Sequence, residues 1–159
     1  MQIIACGNPD RGDDGVAFLV VERLRELGIE ALGAKTITCT GEATALLNAW
    51  EDDDDLILLD AVVTGAPVGT IHHWDGIPPT TSLPSPSTHG LGVAEALRLA
   101  RALDRVPKSL QVYGIEGAQF DHGAPASPQV KAAAEGLARQ IYTAFVGPGS
   151  ARPRAPQKP

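Results

Sequence analysis

Residues Gly7–Gly15 read GNPDRGDDG, and the reading of this stretch decides the fold. Nine residues hold three glycines, one proline, three carboxylates and a single arginine. The apolar run Ile3, Ile4, Ala5, Cys6 precedes it, and Val16, Leu19, Val20, Leu24 and Leu27 follow at helical spacing. A glycine-rich turn between a short strand and an amphipathic helix is the first strand-to-helix turn of an open α/β sheet, where ligands sit. A phosphate-binding turn offers backbone N–H groups and positive charge. This one gathers Asp10, Asp13 and Asp14 around Arg11, an arrangement that repels phosphate and attracts a cation. Helix capping accounts for Asp13. It leaves Asp14 without a structural task.

Composition bounds what surrounds this turn. A chain of 159 residues suits one domain. The expected bounds are 1–146, with a disordered Pro- and Arg-containing tail at 147–159 that has almost nothing to bury. With 43% hydrophobic but only 4% aromatic residues, the core is expected to be aliphatic. A net charge of −6 and a pI near 5.1 argue against nucleic acid or an anionic membrane surface as partner. No apolar run is long enough to span a bilayer. The N-terminus enters a strand without a signal-type segment, so the cytoplasm is the expected compartment. Cys6 and Cys39 are too few for a disulfide framework or a zinc site.

The chain order then yields a topology. A first strand is expected at 2–6 and a first helix at 15–27, ended by Gly28. A second strand is expected at 34–39 and a second helix from Gly41 to Trp50. Consecutive side chains cannot all face one ion, so the acidic run 51–55 is assigned no site. Leu56, Ile57, Leu58 and Leu59 form an unbroken apolar run, the pattern of a central strand buried on both faces. It ends in Asp60, a carboxylate costly to bury unless something binds it. The fourth strand, at 70–74, begins too soon after Asp60 for a parallel crossover, so it must run antiparallel to the third. A Pro-rich return, 75–88, leads to a third helix at 90–103. A fifth strand follows at 109–115 and a fourth helix at 128–146. If the fifth strand parallels the third, the third helix begins at the carboxyl edge and brings His89 there. The expected architecture is a three-layer α/β/α sandwich with a mixed five-stranded sheet.

Asp14, Asp60 and His89 thus converge on one edge. Two carboxylates and an imidazole leave coordination positions open and suit a borderline divalent ion. His72 and His73 are read as structural, and His122 stands in a glycine-rich loop as a lesser candidate. No Ser–His–Asp or Cys–His arrangement is evident, and no His has reason to lie beside Cys39.

Four segments, in order, carry a resemblance: GNPDRGDDGV, LILLDAVVTGAPVGT, STHGLG with its helix, and VYGIEG followed by SPQVKAA. Together they resemble the hydrogenase maturation endopeptidases, which trim the C-terminal extension from the large subunit of [NiFe] hydrogenases. The resemblance implies an aspartyl-type maturation peptidase, with Asp14, Asp60 and His89 as metal ligands and catalytic residues. It also implies that the divalent metal is nickel carried by the substrate. The implied partner is the large-subunit precursor, and a monomer is expected. Three positions depart from the family pattern. Asp14 stands where Glu is frequent, and Ala17 where Gly is common. The segment TCTGEAT leaves Glu42, a backbone group or nothing in place of an Asp that some members carry.

Two other classes compete. A receiver-like signalling domain also pairs carboxylates after its first strand with an Asp on its third. It requires a helix between strands three and four, however, and a Lys ending strand five, where this chain has Gly114, Ile115 and Glu116. A small flavin-binding domain is disfavoured by the acidic first loop.

Overall fold

The computed structural model describes residues 1–50, 55–79 and 92–147. Its sheet has five strands: β1 (Gln2–Cys6), β2 (Lys35–Cys39), β3 (Asp55–Val62), β4 (Ile71–Asp75) and β5 (Ser109–Glu116). Four helices accompany them: α1 (Val16–Glu26), α2 (Ala43–Ala49), α3 (Gly92–Ala102) and α4 (Pro128–Val146). Spatial order is β2-β1-β3-β5-β4, with every pairing parallel except β4 against β5. The expected mixed sheet between two helical layers is what forms.

Strand side chains alternate in direction, so one buried strand feeds two cores. Ile3, Ala5, Ile57, Leu59, Ala61, Tyr113 and Ile115 pack against α1 and α4. Ile4, Cys6, Leu56, Leu58, Leu110 and Val112 face the opposite way, against α2 and α3. Asp60 continues the Leu56, Leu58 series by two and therefore belongs to the α2–α3 side. Between α1 and α4, Arg23 Nε lies 2.9 Å from a Glu135 carboxylate oxygen at the solvent margin.

β4 runs antiparallel to β3 in direction, as the short link requires, but it does not touch it. β5 inserts between them and pairs with both. Nothing local in the sequence encodes that insertion. The central strand is also longer than its apolar run: β3 passes Asp60 and continues through buried Ala61 and Val62. Asp60 is thus not its last residue, because β5 pairs with it to the end, Asp60 opposite Gly114 and Val62 opposite Glu116. On its other flank the last described pair of β1 with β3 is Ala5 opposite Leu59. The departure of β1 at this level opens a crevice beside Asp60.

The third helix starts within this crevice. A Cβ on Gly92 would lie 2.4 Å from the Gly41 carbonyl oxygen, so only glycine lets α3 approach the β2–α2 turn this closely. Gly92→Ala is expected to cost about 1–3 kcal/mol, read as a lower urea midpoint with an unchanged m-value.

Candidate functional site

The first loop separates its two adjacent carboxylates into opposite environments. Asp13 is fully buried and points away from the crevice. Its Oδ2 accepts the amides of Ala118 and Gln119 at 2.9 Å each, and the Ser127 hydroxyl at 2.8 Å. Its Oδ1 accepts the Ser127 amide at 2.6 Å. Burial alone would raise the Asp13 pKa, but these four donors outweigh it and hold the carboxyl below its ordinary range. Asp13 caps no helix of its own segment, contrary to the sequence expectation. It clasps the β1–α1 loop to the β5–α4 loop.

Asp14 faces the other way. It is nearly inaccessible, and burial raises its pKa, opposed by the charge of Arg11 and by the Asn8 amide. The strand-to-loop transition is tight here: Gly7 has φ +132°, and a Cβ there would meet the Asp14 carbonyl oxygen at 2.1 Å. Asp60 accepts the Ala61 amide at 2.9 Å, and its carboxyl is pushed well above the usual range by burial and then by the charge of Asp14. The asymmetry has a simple origin. At Asp14 the Arg11 charge and the Asn8 amide oppose burial, whereas at Asp60 only the Ala61 amide opposes burial and the neighbouring Asp14 charge.

Both carboxylates line a cleft of about 470 Å³, bounded by Gly7, Asn8, Arg11, the Thr40–Thr44 turn and Gly92. Arg11 is the one cationic side chain among those lining residues. Its Nε donates to the Phe120 carbonyl at 3.2 Å, which fixes the guanidinium beside Asp14. Glu42 also lines the cleft, at the start of α2, and is exposed. His122 is exposed on the β5–α4 loop and does not line it. His89 falls outside the described residues. Among the described residues no group of three His, Cys, Asp or Glu side chains is placed to hold a metal ion. The geometry supplies two donors, and the chemistry of that pair, two carboxylates whose charges resist one another, fits a divalent cation.

A second polar cluster escaped the sequence analysis. Glu116, buried at the end of β5, accepts the amides of Thr64 and Gly65 at 2.7 and 2.9 Å and the Thr64 hydroxyl at 2.9 Å. The amides donate to Oε1 and the hydroxyl to Oε2, and His72 Nε2 lies 3.1 Å from that same Oε2. The ring of His72 stacks on Trp74 and that of His73 on Tyr113, so both histidines take the structural parts expected of them. The only sequence signal for this cluster was an acidic residue closing an apolar strand.

The sequence model of the family described as hydrogenase maturation protease matches residues 20–144. The hydrogenase expression/formation protein HupD of Thiocapsa roseopersicina is 27% identical over 132 residues, 81% of this chain and 60% of that protein. The chain therefore spans less than two thirds of that relative's length. Among solved structures, an endopeptidase from Escherichia coli superposes with a TM-score of 0.74 at 24% identity, covering 91% of this chain and 92% of that one. The E. coli hydrogenase maturating endopeptidase HybD gives 0.70 at 23%, with the same coverage. HybD from Thermococcus kodakarensis gives 0.68 at 22%, over 90% of this chain and 97% of that one. At such identities these structures speak for the shared fold. The sequence match begins after the acidic loop but takes in β2 to β5 and nearly all of α4. Since it extends over most of the folded body, the chain belongs to the hydrogenase maturation protease family.

Proposed function

We propose that this chain is an endopeptidase that removes the C-terminal extension of a [NiFe] hydrogenase large-subunit precursor once nickel has been inserted. The observation that carries the reading is the Asp14–Asp60 pair: two carboxylates line one cleft, and burial raises the pKa of both, so a cation arriving there would favour their ionised forms. The nickel belongs to the substrate. Its approach would favour the ionised form of Asp60, so a precursor lacking metal forfeits that binding energy and is passed over. His89 is the third donor in this proposal.

Hydrolysis adds one water across the scissile bond, the oxygen going to the acyl carbon and a proton to the departing amine. Arg11, anchored through its Nε, keeps the rest of its guanidinium near the cleft, suited to the carbonyl oxygen of a bound segment. A nickel ion on the precursor would add Lewis acidity at the same place. The receiver-like alternative fails on topology. The link 63–70 between β3 and β4 contains no helix, and β5 ends in Glu116 rather than Lys. No helix among the described residues is long and apolar enough to cross a membrane.

Asp14→Ala and His89→Ala are each expected to reduce processing of a nickel-loaded precursor by at least about 100-fold, with circular dichroism and thermal midpoint close to wild type. Full activity in either variant would contradict the proposed ligand set.

A further inference from the structure

Cys6 ends β1 and Cys39 ends β2, and the two are register partners across the parallel pair. Their sulfurs lie 3.5 Å apart. Neighbouring strands run about 4.8 Å apart, so the two Cα atoms fall within the separation of roughly 4.4–6.8 Å that a disulfide spans. A small core residue is a sufficient account of Cys6, which is 1% exposed. It is not a sufficient account of Cys39, which stands partly open to solvent on the edge strand. The residues that follow, Gly7 after one and Thr40–Gly41 after the other, are walls of the cleft.

We propose that Cys6 and Cys39 form a reversible dithiol–disulfide pair at the rim of the cleft, oxidised by low-molecular-weight disulfides. Cys39 is the attacking thiol. It is the accessible one, and its pKa is lowered to about 7, chiefly by the hydrogen bond with Cys6, whereas that bond and burial push Cys6 up. The Cys39 thiolate attacks one sulfur of the small disulfide, forming a mixed disulfide and expelling one thiolate. The Cys6 sulfur, surrendering its proton to that thiolate, then attacks Cys39 Sγ and expels the second. The protein loses two electrons and two protons, and the small disulfide becomes two thiols. The bond would join the strand ends from which both cleft walls depart, fixing their separation.

The chain contains only these two cysteines, so the test is unambiguous. Full-length protein is incubated natively with oxidised glutathione, quenched with maleimide in denaturant, and examined by intact mass and non-reducing peptide mapping. The expected result is loss of both maleimide-reactive thiols, loss of two hydrogens in mass, and one Cys6–Cys39 linked peptide that dithiothreitol reverses. Cys6→Ala should accumulate a lasting glutathione adduct on Cys39. Cys39→Ala should react about tenfold more slowly or less. Wild-type protein that keeps both thiols, retains glutathione on Cys39, or forms a covalent dimer would overturn the proposal. None of these readouts depends on peptidase activity.

Discussion

Replacing Asp60 by Asn is expected to abolish processing of a nickel-loaded precursor while raising the thermal midpoint at neutral pH. The two effects have one origin. Burial and the neighbouring charge of Asp14 raise the Asp60 pKa in the folded protein well above its value in the unfolded chain. The folded state therefore holds the Asp60 proton more tightly, and this side chain favours folding at low pH. That advantage is lost as pH rises from about 4 through the raised folded pKa, above which a desolvated charge opposes the fold. Asn keeps the shape without the charge and removes the penalty. A gain of about 1–2 kcal/mol, or roughly 3–6 °C for a domain of this size, is expected at pH 7, shrinking toward zero near pH 4. Calorimetry across that range checks the sign. A variant less stable at pH 7 than wild type would show that the Asp60 charge is already compensated.

Asp13→Ala should do the reverse, with a stability loss of about 3–4 kcal/mol. It strands three loop amides and the Ser127 hydroxyl that the carboxylate now accepts. The pH dependence is opposite too. A folded pKa below the unfolded value makes the Asp13 contribution complete above about pH 4, and it is lost as pH falls through the depressed folded value. Urea unfolding at pH 7 and pH 3 measures both. The wild-type advantage over Asp13→Ala should be largest at neutral pH and contract on acidification. An equal loss at both pH values would mean that the clasp does not need the charge.

How much of this was legible in the chain depended on how far away the deciding partners lay. The β1–loop–α1 unit was readable because its signals are local: four apolar residues, a glycine-rich turn and a helical stripe. The direction of β4 was readable because an eight-residue link cannot make a parallel crossover. The insertion of β5 between β3 and β4 was not, since no residue near β4 specifies its neighbour. Asp60 stood out in the sequence as a carboxylate closing an apolar run, yet β3 runs past it, because pairing with β5 rather than an apolar run sets that strand's end. Adjacent Asp13 and Asp14 could be suspected of different tasks from sequence. What Asp13 does could not, because its partners lie 105 to 114 positions further along. A separation of 51 to 52 positions likewise hid Glu116, whose partners on the β3–β4 link come together only once β5 pairs with β3.

The central claim is that the Asp14–Asp60 edge recognises nickel already placed in the substrate, and that recognition licenses cleavage. The most direct measurement incubates the full-length chain with two preparations of a [NiFe] hydrogenase large-subunit precursor, one nickel-loaded and one nickel-free, and follows each by intact mass spectrometry. The account predicts a single C-terminal cut in the loaded precursor and none in the nickel-free one, with the cut lost in Asp60→Asn. Cleavage of both precursors at similar rates would contradict it.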